Sequence, residues 1–522
     1  MKKLLILLSV LPWLYSCAFA QEPVQKKYAE MLNEESAKKH LTILSSKEYE
    51  GRGTGQKGGE KAAQYIAAEF KRLGLKAPQS GYFQKINLKN RRFEVNQFTV
   101  GSKDFKNGKD FFILGDNEKT VIKTEDIVFV GYGIEDSKYN DYANIDVSNK
   151  VVLLITDDEP TDKNGNSLIT GTSKKSEWST SRNKKLQHLM KKNPKLILAA
   201  SVTTELMLKR MAGRLTGGSY ELQKDKEEAE KQTSVTPAVA FITPAIANDI
   251  LQVKNISFQK FKENNSVQST LIPVKFNAEY GITEEMLNDA NVLGLLEGTD
   301  LKEEIVVLSG HYDHDGIDEN GTIFPGADDN GSGTTGVLDL ARAFAQAKAD
   351  GHGPRRSILF IAFAAEEKGL LGSEYYSENP VYPLSNTVVC LNMDMIGRID
   401  DKHLNGNHNY IHVIGSDKLS SELHAINKKA NDDFTKMELD YMYDDPKDPL
   451  RIYYRSDQYN FAKHKIPVIF YFSGLHPHYH TPEDTIEKID FPMMAKREKL
   501  AFYTAWEIAN RDKRLVVDSN KE

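Results

Sequence analysis

The sequence predicts an α/β protein: a mixed, largely parallel sheet with helices on both faces, interrupted by an inserted β-rich unit. Three observations carry this reading. After Asn291, apolar strand-like runs alternate with amphipathic helical runs, the pattern of a sheet covered on both sides. Acids and histidines of that half fall where the runs end, and open α/β sheets bind ligands beyond the carboxyl ends of their strands. The stretch from about 120 to 270 has a different texture of short strands, polar turns and charged low-complexity segments.

The chain starts with an address. Lys2 and Lys3 precede an apolar run, Leu4 to Leu14, too short to cross a bilayer. Two processing sites compete. Ala18-Phe19-Ala20 before Gln21 suits an ordinary signal peptidase, whereas Leu14-Tyr15-Ser16-Cys17 is similar to a bacterial lipobox that would lipidate Cys17. Both readings export the protein from a bacterial cell, to the periplasm, the outer membrane as a lipoprotein, or the medium. No later run of 18 apolar residues follows, so no transmembrane span is expected.

From Lys38 to Leu75 the pattern is helical. Ala62, Tyr65, Ile66, Phe70 and Leu73 share one face of a helix that Gly74 ends. Gly53-Thr54-Gly55-Gln56-Lys57-Gly58 before it matches a dinucleotide-binding spacing. No apolar strand leads into it, so the motif reads as a flexible turn opening a helix. In the middle unit, Ile127–Val130 and Val151–Ile155 read as strands, and 174–185 and 223–232 as solvated loops. The later half supplies strands at Ile305–Leu308, Ile358–Ala364, Val388–Met393, Ile411–Ile414 and Val468–Phe472, with a helix through Val337, Leu340 and Phe344.

Composition excludes several functions. With 522 residues the chain can hold several domains. A formal charge of −6 spread over that length leaves no electrostatic footprint for nucleic acid. Two cysteines build neither a disulfide framework nor a Cys-rich zinc module, and Cys390, flanked by Val388, Val389 and Leu391, reads as a buried thiol. Any metal site must therefore use His, Asp and Glu. Candidates sit at strand ends: His311 and Asp313; Asp328 and Asp329; Glu366 and Glu367; Asp394; and His480. Each is ambiguous alone, since a Glu-Glu pair is usually solvated and an Asp before a helix usually caps it. His314, His476 and His478 lie close by and weaken any argument from histidine count. Two histidines, one bridging carboxylate and two terminal carboxylates would suffice for two zinc ions.

Five motifs in order make the set specific: His311-x-Asp313; Gly326-Ala327-Asp328-Asp329-Asn330-Gly331-Ser332-Gly333; Glu366-Glu367-x-Gly369-Leu370-Leu371-Gly372-Ser373; Asn392-x-Asp394-Met395-Ile396-Gly397; and His480-Thr481-x-x-Asp484-Thr485. On them the chain resembles the zinc exopeptidases of family M28, over roughly 30–115 and 275–515. The phrase Val130-Gly131-Tyr132-Gly133-Ile134 with Asn149-Lys150-Val151-Val152 resembles the protease-associated domain inserted in some exopeptidases. The implied division is a signal at 1–20, a first peptidase part at 21–117, the insert at 118–272 and the main peptidase part at 273–522.

The resemblance implies these roles. His311 and Asp394 hold one zinc, Glu367 and His480 the other, and Asp329 bridges both while Asp328 does not ligate. Asp313 accepts the other ring N–H of His311. Glu366 is the general base, and Tyr479 stands where some members place an oxyanion-stabilising phenol. The implied activity is aminopeptidase action on peptides with two Zn2+. Alternatives are a carboxypeptidase of the same fold, a single-zinc enzyme like the glutaminyl cyclases, and a non-catalytic binding ectodomain. A serine hydrolase is disfavoured because no Gly-x-Ser-x-Gly occurs, and no His-Glu-x-x-His marks a one-zinc protease. Arg398 and Arg455 read as exposed salt-bridge partners rather than anion contacts.

Overall fold

In the computed structural model, residues 22–115, 117–223, 236–264, 268–318 and 321–519 are described. The expected signal, including Cys17, and most of the charged stretch at 223–232 lie outside them. Four strands, Arg356–Phe363, Leu301–His311, Thr387–Met393 and Val468–Phe472, run parallel side by side in an eleven-stranded sheet. Every residue of the first, third and fourth is buried, which explains their near-continuous apolar sequence. Alternate side chains serve opposite faces. Val306, Leu308, Ile358 and Phe360 join Leu41, Ile66, Phe344 and Phe502 in one cluster. Val307, Leu359, Ile361 and Phe363 join Tyr376 and Phe461 in the other.

The helices follow from local signals. Asn33 caps Glu34–Leu44 with a reciprocal Ser36 bond, and Asp490 caps Phe491–Asn510, with Pro492 in its first turn. The Lys57–Arg72 helix ends before Gly74, whose φ of 75° lies in the left-handed region that favours glycine. On both flanks of the parallel core the next strand is antiparallel, Phe276–Leu296 on one side and Tyr410–Ile414 on the other. The sheet's longest pair, Phe83–Val100 with Phe276–Leu296, had no counterpart in the sequence reading.

A second, six-stranded sheet gathers Phe111–Leu114, Ile127–Phe129, Val151–Ile155, Leu196–Ala200, Ala238–Ile242 and Thr270–Ile272. The middle four run parallel, joined by helices such as Arg182–Met190 and Thr203–Thr216. The boundary at 118 needs correcting. Phe111–Leu114 belongs to this second sheet, pairing with Ala238–Ile242, while Thr120–Thr124 and Ser219–Leu222 pair back onto the long strands of the first. The far ends of those strands, with Phe98, Phe276 and Tyr280, pack in the core of the second unit. Cys390 is a buried free thiol that burial pushes up to about 12. Among the described residues no helix is long and apolar enough to cross a membrane.

Candidate metal centre

The parallel strands deliver the acids to one edge. His311 ends its strand, Glu366 and Glu367 follow Phe363 by a short turn, and Asp394 follows Met393 directly. Asp329 stands in the tight turn Ala327–Ser332 that leads into the Gly333–Ala349 helix. His480 comes from the loop after Phe472. Ala365, Met395 and His480 each have φ of 53°. Left-handed backbone at non-glycine residues costs about 1–3 kcal/mol and concentrates where a fold must aim functional groups.

Two donor groups result. His311, Asp329 and Asp394 offer ligand atoms within 4.8 Å of one another, and so do His314, Asp329, Glu367 and His480. Asp329 is common to both, and its two oxygens face different ways. Oδ1 lies 3.6 Å from His311 Nε2, whereas Oδ2 lies 3.2 Å from His480 Nε2. His311 Nε2 is 3.4 Å from Asp394 Oδ1, and His480 Nε2 is 3.6 Å from Glu367 Oε2. Such separations suit a shared ion: two ligand atoms about 2.1 Å from a tetrahedral zinc lie about 3.4 Å apart. The buried His311 Nε2 and Asp394 Oδ1 make no hydrogen bond among the described residues, an arrangement costly unless an ion or water joins them. Imidazole with carboxylate is a donor set for zinc. The residues fit the metal.

The surrounding shell holds the donors in place. Ser456 Oγ donates to Asp394 Oδ2 at 2.7 Å, and Asp315 Oδ2 lies 2.8 Å from His480 Nδ1. Asp484 Oδ2 accepts the N–H groups of Asp328 and Asp329. Asp313 departs from its expected role. The ring of His311 turns Nδ1 toward the backbone carbonyl of Asp313 at 3.1 Å, and the carboxylate stands 3.8 Å away. The carboxylate is engaged elsewhere, accepting from the backbone N–H of Glu366 and Glu367 and from Thr54 Oγ1. It therefore fixes the turn that carries both glutamates.

The other residues sort by contact. Asp328 belongs to neither donor group; its Oδ1 accepts from Gly397 N–H and Ser332 Oγ. His476 faces Asp328 at 3.4 Å, and His478 bonds Arg398. His314, left unassigned by the sequence, is buried with Nδ1 2.9 Å from Glu367 Oε1, a distance for holding that carboxylate by a hydrogen bond. Its signal was its place beside Asp313. Asp315 carried the same hint, while Ser456 carried none. Glu366 lies in neither donor group, with Oε2 3.7 Å from His311 Nε2. Beside these acids is a cavity walled by Met395, Ile452, Phe470, Phe472, Leu475 and Tyr479. Arg455 lines it too, donating to Tyr479 Oη at 3.1 Å. Among the described residues no carboxylate pairs with Arg455, contrary to the salt bridge expected for it. Arg398 lies 3.8 Å from Asp484.

So many acids in one dry place oppose each other's ionisation. Burial, then repulsion from Glu367 and Asp394, holds Asp329 well above the usual carboxylate range. Glu366 is raised well above its ordinary value, first by burial and then by Glu367 and Asp394 against the pull of His311. Burial also pushes Asp313 up to about 6. Cations relieve this repulsion. A third buried group, Asp400 with His403 and His412, pairs internally, the carboxylate lying 2.6 Å from one ring and 2.8 Å from the other, while His412 Nδ1 faces Asp440 Oδ2 at 3.8 Å.

The open sheet thus presents, beyond the ends of its parallel strands, two donor groups that share Asp329. Residues 291–505 match the sequence model of Peptidase family M28. Aminopeptidase YwaD of Bacillus subtilis is 26% identical over 321 residues, 56% of this chain and 61% of that protein. A probable leucine aminopeptidase of Arthroderma benhamiae is 32% identical over 40% of this chain and 55% of its own length. The matches thus span less than two thirds of these curated relatives. Among solved structures, an aminopeptidase from Aneurinibacillus sp. strain AM-1 shares the fold with a TM-score of 0.57 at 18% identity, over 95% of this chain and 98% of its own. An M28 peptidase precursor from Shewanella amazonensis SB2B does so at 0.54 and 18%, over 94% and 98%.

Proposed function

We propose that this chain is an exported co-catalytic di-zinc aminopeptidase that releases N-terminal residues from peptides, with the inserted unit a protease-associated-like domain. The observation that carries it is Asp329, whose two oxygens serve two separate donor groups. His311 and Asp394 would hold one zinc and Glu367 and His480 the other, with Asp329 between. Two zincs held there would supply Lewis acidity and an acidified water.

The chain's own groups do the rest. Glu366, outside both donor groups, takes a proton from the attacking water and passes it to the leaving amine. Asp313 orients it through the bond to its backbone N–H. The walls of Ile452, Phe470, Phe472 and Leu475 accept an apolar side chain and exclude water. Tyr479 donates to the oxyanion, and Arg455 beside its oxygen makes the phenol a stronger donor. We expect Tyr479→Phe to lower kcat by roughly 10²–10³-fold while KM changes little, as for loss of one oxyanion donor. Wild-type kcat in that variant would withdraw the role.

The same Arg455 is the observation that favours a second reading, a carboxypeptidase, because a guanidinium in the cavity matches a substrate carboxylate. Free-amine, N-blocked and C-blocked peptides, with and without chelator, separate the two. Cleavage of C-blocked but not N-blocked peptides supports aminopeptidase action, and the reverse overturns it.

A further inference from the structure

The turn before the Lys57–Arg72 helix, flexible by its sequence, is bound into the candidate metal centre. Glu50, Gly51 and Arg52 have φ of 49°, 66° and 53°, three left-handed residues in succession. Such strain persists only where surrounding contacts over-determine it. Gly51 is one such point, because a Cβ there would lie 2.3 Å from the Phe324 carbonyl oxygen. Arg52 is wholly buried yet, among the described residues, forms no hydrogen bond with a carboxylate. Its Nε donates to the Tyr312 carbonyl at 2.8 Å, and Nη1 to Leu44 and Pro325 at 2.8 and 2.7 Å. Nη2 donates to Gly326 at 2.7 Å and, more weakly, to Asp329 at 3.5 Å. That uses all five donors of a guanidinium. Tyr312 lies between His311 and Asp313, and Pro325 and Gly326 open the turn to Asp329, so one planar group joins the loops of two predicted ligands. Two residues on, Thr54 Oγ1 donates to Asp313 at 2.9 Å.

We propose that Arg52, with Thr54 on the same turn, is a positioning residue of the metal centre: it sets the separation of the His311 and Asp329 loops and places a buried positive charge behind the acids. This rests on the di-zinc reading above. Lysine cannot replace it, since an ammonium has three donors and no planar fork. Burial draws the guanidinium down to about 10, against the pull of Asp484, Asp329, Asp313 and Glu367, so it stays charged at neutral pH.

The test compares Arg52→Lys with Arg356→Lys in the full chain. Arg356 is equally buried and also bonds backbone carbonyls, those of Ile508 and Arg511, but it opens its strand instead of closing it. Zinc affinity is read by competition with a chelator, the ligand field by the visible spectrum of the cobalt(II)-substituted protein, and the fold by circular dichroism. Both variants should melt at lower temperature. Only Arg52→Lys should lose about 10–100-fold in zinc affinity, the range for removing an outer partner, and shift the cobalt spectrum. Wild-type affinity and spectrum in folded Arg52→Lys overturn the proposal. Should that variant not fold, Thr54→Val takes its place: several-fold weaker zinc binding supports the proposal, and unchanged binding overturns it. A wild-type chain that binds no zinc would instead strike the di-zinc reading, so the two failures are distinguishable.

Discussion

Glu366→Gln should leave metal content at the wild-type level and reduce turnover by about 10²–10⁴-fold, the usual contribution of a positioned general base. The amide preserves the side chain's shape and the backbone N–H bond to Asp313, which is 3.0 Å in the parent. It removes only the capacity to accept a proton. The contrast with Glu367 sharpens the expectation. Glu367 shares a donor group with His314, Asp329 and His480, whereas its neighbour Glu366 belongs to neither group. In the proposed mechanism one turn presents one glutamate as ligand and one as base, and Asp313 accepts from both backbone N–H groups. Steady-state kinetics alongside elemental analysis checks this. Full activity with full metal would remove Glu366 from the mechanism, and lost metal would make it a ligand.

Asp329→Ala should do more damage than any other single change at the centre. Its carboxylate faces His311 through one oxygen and His480 through the other, so its removal takes a ligand from both sites. Zinc content should fall from two to well below one per chain, with activity down by more than the roughly 10–100-fold that follows loss of an outer partner. Asp394→Ala is the comparison, because Asp394 belongs to one donor group alone and its loss should spare the site of Glu367 and His480. Elemental analysis of the two variants after dialysis against metal-free buffer reads the difference. Equal zinc content would show that Asp329 does not bridge.

Much of this centre was legible in the sequence because the residues that build it interrupt strong local patterns. A buried strand such as Phe360-Ile361-Ala362-Phe363 announces itself by its apolar run, and two glutamates at its end are conspicuous for that reason. The same holds for Asp394 after Cys390-Leu391-Asn392-Met393. What stayed hidden depends on pairing between distant segments. The Phe83–Val100 strand is Lys- and Asn-rich because parts of it are exposed, and its register with Phe276–Leu296 has no local signature. Phe111–Leu114 reads equally well as either unit's strand until its pairing with Ala238–Ile242 is known. Arg52 and Ser456 are ordinary polar residues in sequence. Their roles arise because the fold closes Arg52 over carbonyls some 260 residues away and Ser456 onto Asp394. Asp313 shows the finer limit: its position at the centre was legible, but which of its atoms faces His311 was set by competing backbone donors.

The most direct test is the zinc content of the purified, metal-replete chain, followed through chelation and reconstitution with peptidase activity as the parallel readout. Two zincs per chain, activity lost on chelation and full recovery only as the second equivalent is added are the predicted results. A single zinc at full activity, or hydrolysis that survives complete removal of metal, would contradict the bridged two-metal centre.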